Sequence, residues 1–301
     1  MRITISKKNL YKSRFYLYLF PTFFLLMVFN YYPSASAVYH SFFNWDGVNS
    51  IFIGFGNYIE LINDEFFLAS ALNMLKLLIF GLIIGTIVPF SIAELVFSLR
   101  SMKAKYWWRV LFVAPMVVPG MVVLLLWQFI YDPQVGLLNA ILHGIGLAKL
   151  QQGWLINMDI ALYSLMFLGF PWVNGTAVLI YYAGLGGISS EVLDAARVDG
   201  VIGIRRIFLI DLPLIMGQVK LMIILGIIGG VQGFVGSLVL TNGGPAGATM
   251  VPALYLYRAA FTFGRMGFAC AIGVMIFVAL LVVTYINLKY IKSSTEHEGT
   301  S

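Results

Sequence analysis

The sequence contains one cysteine and three histidines, and only 11% of its 301 residues are charged. A lone Cys270 excludes an internal disulfide framework and a cysteine-held metal cluster. Within its apolar run it reads as a small buried side chain. His40, His143 and His297 are scattered without metal-ligand spacing, so no metal site is expected. No G-x-x-x-x-G-K-[ST] segment occurs, which removes a nucleotide site built on a phosphate-cradling loop. No Ser, His and acid cluster stands in or beside an apolar stretch, so hydrolytic chemistry has no residues to run on. Low-complexity tracts, sequence repeats and a water-soluble domain are missing as well.

What remains is apolar. A 60% hydrophobic composition with 24 Phe, 16 Tyr and a mean hydropathy of +0.90 does not suit a surface facing water. The chain reads as an all-α membrane protein of about six transmembrane helices. A span takes about 20 helical residues, and stretches of that order lie near 15–38, 70–98, 107–130, 160–183, 212–238 and 266–290. Several of them carry Pro or Gly.

The net charge of +6 does not form a face for nucleic acid, because the cations sit at helix ends. With the N-terminus inside, Arg2, Lys7, Lys8, Lys12, Arg14, Arg100, Lys103, Lys105, Arg109, Arg197, Arg205, Arg206, Lys289 and Lys292 fall on the cytoplasmic side. Lys149, Arg258 and Arg265 fall outside. This asymmetry predicts cytoplasmic termini. The organisation is then a cytoplasmic segment at 1–14, a membrane domain at 15–292 and a cytoplasmic tail at 293–301. "SASA" at Ser34–Ala37 resembles the cleavage site of a secretory leader, but the preceding apolar run is long enough for a retained first span.

The first external segment, about residues 40–67, is expected to be a loop with a short amphipathic stretch, Trp45 and Tyr58 serving as interfacial anchors. The second carries turn chemistry at Asp132-Pro133 and Gly136, then a short interfacial helix. Glu94 is expected to snorkel toward the cytoplasm from the end of the second span.

Charge concentrates in "EVLDAARVDGVIGIRRIFLIDLPLIMG", residues 191–217, within a cytoplasmic loop at 185–213. Ser189 or Ser190 can cap a helix whose first turn holds Glu191 and Asp194, where carboxylates oppose the helix dipole favourably. Val192, Leu193, Ala195 and Ala196 give it a small apolar face, and Gly200 can take the left-handed conformation that ends it. A second helix is expected from Ile204 toward Leu212, with Pro213 opening the next. The apolar face has two possible uses: packing on the chain's own helix ends, or seating in a partner.

"DAARVDG" followed by "FLIDLP" resembles the EAA loop of the membrane subunits of ABC importers. Asp194 stands where that family has Glu, Val201 replaces the usual Ala, and Ala195, Ala196, Asp199, Gly200, Leu212 and Pro213 match. "YYPSASAVYHSFFNWDG", "FGNYIELIND", "FVAPMVVPGMVVLLLWQFIYDPQVGLLNAIL", "YYAGLGGISSEVLDAARVDG" and "LTNGGPAGATMVPALYLYRAAF" resemble, in order, segments of the sugar-importer branch, including the maltose and glycerol-phosphate/multiple-sugar permeases.

The resemblance implies the type I importer permease fold in a prokaryotic inner or plasma membrane. It also implies translocation of a sugar or oligosaccharide by alternating access. The partners it implies are a second homologous permease forming a heterodimer, two cytoplasmic ATPase subunits, and an extracellular or periplasmic sugar-binding protein. ATP and Mg would sit on the ATPase subunits, with no cofactor and no metal on this chain. Coupling would fall to Glu191, Asp194, Ala195, Ala196, Arg197, Asp199, Gly200, Leu212 and Pro213. The charged members of that set suit a docking surface oriented by charge.

Gly226, Gly230 and Gly233 follow helical spacing on one face of the fifth span. Such a stripe serves close helix packing or leaves room along a transport path. Asn73, Gln128, Asn174 and Gln232 can hydrogen-bond sugar hydroxyls, and Trp127 or Trp172 can stack on a sugar ring, although interhelical bonds and simple packing are the first reading for each of them. An ion-gradient-driven secondary transporter is the alternative. It would need carboxylates near the membrane midplane, and Glu94 is off-centre.

Overall fold

The computed structural model describes residues 18–290, most of them helical. Expectations for the terminal segments, including Lys292 and His297, lie outside the described residues. The chain divides into two compact units, one holding residues up to Asn63 with Leu256–Met275, the other Asp64–Tyr255 with residues from Ile276.

In the first unit, helix α1 covers 18–40 and widens into a π turn at Met27–Tyr31. Pro33 comes two residues after it, and a proline offers no amide to the carbonyl four residues back, here Phe29 within the turn. Ser34–Ala37 lie inside this helix. The segment after α1 forms a hairpin, β1 (Phe43–Trp45) antiparallel to β2 (Ser50–Phe52), followed by α2 (Gly56–Asn63). The hairpin was expected only as loop. Asp46 builds its turn, accepting from Val48 N at 2.8 Å and Asn49 N at 2.7 Å. Asn57 ties α2 back, donating to the carbonyls of Ser41 and Phe43 at 2.8 and 2.9 Å. Trp45 stacks on His40 with ring centroids 4.0 Å apart.

The second unit is built on α3 (Glu65–Ser98), longer at its start than expected because Asp64 caps it, accepting from Phe66 N and Phe67 N. One stripe of α3, Leu72, Ile79, Ile83 and Ile87, stays exposed, as a lipid-facing side should. Its other side packs on α8 (Gly175–Gly186) and α11 (Met216–Gln232). Ala93, Ala177, Val178, Tyr181, Leu185, Ile215 and Val219 are the buried centre of that three-helix core. Lipid tails are as apolar as Leu, so helices here are held by close packing. Gly226 of α11 meets Leu82 and Gly230 meets Leu78, each too tightly for a Cβ without movement. Gly184 of α8 receives the Gln218 side chain less tightly, its Cδ 3.0 Å from where a Cβ would stand.

Several predicted spans are interrupted. The third is α4 (Met102–Val113), a 3-10 turn at Ala114–Val117 and α5 (Gly120–Ile130), bent by 88°. Pro119 stands at the bend, where it cannot extend a helix arriving from before it. The stretch at 160–183 is not one helix. It consists of α7 (Ala161–Met166), an irregular 167–174 and α8, because Gly169 and Trp172 both have positive φ around Pro171. After α9 (Ser190–Val198), the fifth comprises α10 (Ile204–Leu214), bent by 73° from α11, then a break at Gly233 and α12 (Val235–Thr241).

Between α5 and α7 lies α6 (Leu137–Gly144); α13 (Pro252–Phe261) and α14 (Met266–Tyr290) complete the chain. Among the described residues, Glu65–Ser98 and Met266–Asn287 are each long and apolar enough to cross a membrane. Three bent pairs meet the same standard if each counts as one span.

Candidate functional site

The loop between α8 and α11 folds as its sequence dictates. Ser189 caps α9 by accepting from Val192 N, and Gly200, at φ +70°, ends it. The Val201 amide reaches back to the Ala196 carbonyl at 2.8 Å, closing the C-terminal motif that a left-handed glycine permits. Ala196 is the buried residue of the helix, 4% exposed, while Ala195 points outward. Glu191, Arg197 and Asp199 are exposed too. Asp194 pairs with Arg197 at 2.6 Å in the open.

The outward side is more apolar than the expected face. Val198 is 88%, Ile202 65% and Ile204 73% exposed, clustered about the C-terminal end of α9. A charged rim beside an uncovered apolar cluster is the composition of a docking surface. Leu212 packs against the three-helix core, and Pro213 is exposed just after a second π turn at Ile207–Asp211.

Glu94 does not snorkel. It is buried on α3, with Arg206 Nη2 3.6 Å from its Oε2, and the same guanidinium donates from Nε to Asp211 Oδ2 at 2.7 Å. The physical reason is that α10 brings a cation to the carboxylate, which spares it the route to water.

The expected pathway residues fall into two sets. Gly230, Gln232 and Gly233 line a groove of about 370 Å³ at the break after α11, together with Leu77, Leu165 and Leu168. Trp172 lines an adjoining groove of about 250 Å³ that shares those three leucines. Trp127 lines a separate cavity of about 410 Å³ whose walls include Tyr131, Trp154, Tyr163, Phe167 and Phe170. Phe167 and Phe170 also contact Trp172, at ring separations of 5.3 and 4.9 Å.

The remaining candidates have other placements. Asn73 donates to the carbonyls of Gly247 and Met250, tying the Gly-Gly-Pro segment to α3. Asn174 caps α8 by accepting from Ala177 N. Gly226 is committed to Leu82, and Gln128 is exposed on α5.

The model of the family described as "Binding-protein-dependent transport system inner membrane component" matches residues 78–296. The chain belongs to that family. Permeases of this kind include a probable ABC transporter permease of Bacillus subtilis (strain 168), YurN, 30% identical over 93% of this chain and 97% of its own length. The diacetylchitobiose uptake permease NgcF of Streptomyces coelicolor is 28% identical over 86% of this chain and 76% of its own. Among solved structures, a bacterial ABC transporter that imports alginate superposes with a TM-score of 0.82 at 21% identity, covering 95% of this chain and 99% of that one. That likeness shows the permease fold. Membership of that family sets aside an ion-gradient-driven carrier.

Two groupings in this permease have no signature in the sequence. The aromatic wall of Tyr131, Trp154 and Tyr163 is assembled from α5, α7 and the loop between them. Glu94 and Arg206 meet only in three dimensions.

Proposed function

We propose that this permease subunit translocates a sugar or oligosaccharide across a prokaryotic plasma membrane, both termini on the cytoplasmic side. It would be driven by two ATPase subunits that hold ATP and Mg, and fed from outside by a sugar-binding protein. A second, related permease completes the pathway as its heterodimer partner. The observation that carries this reading is α9. This short, firmly capped helix buries Ala196 and turns its charged rim and apolar end outward, which suits a cleft in a separate motor.

The sugar assignment is supported by the relatives named for diacetylchitobiose and multiple sugars, and by the solved importer named for alginate. Aromatic side chains such as Trp127 and Tyr163 offer flat apolar faces of the kind that accept a pyranose ring. Rocking of the helices would alternate access to the path.

The test is uptake of labelled oligosaccharides by vesicles holding the whole complex. Transport should require ATP inside and survive ionophores. Uptake that collapses with the ion gradient, or an ATPase that never co-purifies with the chain, would overturn the proposal.

A further inference from the structure

Asp211 is fully buried and Glu94 nearly so, yet one guanidinium serves both. Arg206 is committed to Asp211, 2.7 Å from Oδ2, and stands off from Glu94 at 3.6 Å. Both Glu94 oxygens and Asp211 Oδ1 are buried without a hydrogen-bond partner. Buried carboxylate oxygens are ordinarily satisfied, so this cluster has more acceptors than donors. The Phe97 ring, 5.7 Å from the guanidinium carbon, flanks the arginine and also carries Lys105 Nζ at 5.2 Å.

The placement of the three residues gives the surplus a meaning. Glu94 belongs to α3, the helix on which α8 and α11 pack. Arg206 and Asp211 belong to α10, a few residues beyond α9. Closing the Arg206–Glu94 gap to a hydrogen bond of about 2.9 Å takes a shift of only about 0.7 Å.

We propose that Arg206 is a positioning residue handed from Asp211 to Glu94 when the loop moves, so that a displacement of α9 reaches α3 as an exchange of ion-pair partner. This rests on the reading of α9 as the seat of the ATPase. Nε serves Asp211 and Nη2 faces Glu94, and the two extremes, tight on Asp211 or tight on Glu94, would be the two discrete arrangements that transmission through a packed structure requires. The present arrangement is the Asp211-bound one.

The test uses the assembled complex in lipid vesicles with ATP and Mg as the only probe. Glu94→Gln removes one station and Asp211→Asn the other, with side-chain shape kept. The two should move the basal rate of ATP hydrolysis in opposite directions, by about fivefold or more each, with ATPase subunits co-purifying in wild-type ratio. A change in the same direction for both, or none in either, overturns the exchange while leaving α9 as the docking site. If either amide variant fails to assemble, Glu94→Asp and Asp211→Glu keep the charge and alter only reach, and the same opposition is expected. Failure of the unmodified chain to retain its ATPase would instead overturn the docking itself.

Discussion

Gly230 of α11 lies so close to Leu78 of α3 that a Cβ added to it would stand 2.6 Å from Leu78 Cδ1. The glycine therefore serves helix packing, and it also borders the groove at the break after α11. Gly230→Leu should lower stability by about 1–3 kcal/mol, the usual cost of overpacking, seen as a lower melting temperature of the purified complex. Adding Leu78→Ala should recover most of that loss. Uptake that stays blocked once stability has recovered would assign the glycine to the path; recovered uptake would leave it a packing residue alone.

Gly200 and Asp194 separate folding from docking. Gly200 holds φ at +70°, a conformation that costs an ordinary L-residue about 1–2 kcal/mol. Gly200→Glu should deform the end of α9 and abolish ATPase co-purification. Asp194 has only its exposed pair with Arg197 to lose, worth less than about 1 kcal/mol. Asp194→Lys should therefore leave the melting temperature nearly unchanged while weakening ATPase retention. Normal retention and normal transport in both variants would contradict the docking role.

Asn73 tethers the Gly-Gly-Pro segment to α3. Asn73→Ala removes the donor from two backbone carbonyls, a loss of about 1–3 kcal/mol if they stay buried. Hydrogen exchange at residues 243–250 should speed up while exchange in α9 stays as it was. Equal protection in the variant would show that other contacts hold the segment.

The hairpin offers a pH readout. Asp46 is held down at about 2, below the usual 3.8, first by the Asn49 side-chain amide and then by the backbone amides of Val48 and Asn49. A depressed carboxylate contributes stability above its unfolded value and loses it as pH falls through the folded one. Protection of residues 43–52 should thus hold from neutrality to about pH 4 and fade toward pH 2. Asp46→Asn should flatten that profile. Early loss near pH 6 would point to another group.

Local chemistry made much of this architecture legible. Ser189 and Gly200 bound α9 where a cap and a left-handed stop were expected, and Asp132 accepts from Gln134 N and Val135 N in the turn its Asp-Pro pair announces. Gly226, Gly230 and Gly233 were visible as a stripe, but only the leucines facing the first two decide what a stripe does. Interruptions at Pro119 and Gly233 were blurred, because hydropathy averages across a bend while the backbone does not. Glu94 looked like an end-of-helix charge, since nothing near it in sequence declares a cation. Its partner comes from across the fold, and a local pattern carries no record of such a meeting.

The break at Gly233 has one more implication. An interrupted helix leaves up to about four carbonyls on the segment before the break and four amides on the segment after it without partners inside the helix, and hydrocarbon cannot satisfy them. Around that break the main chain therefore needs polar company, from within the protein or from water in the groove of about 370 Å³ that borders it.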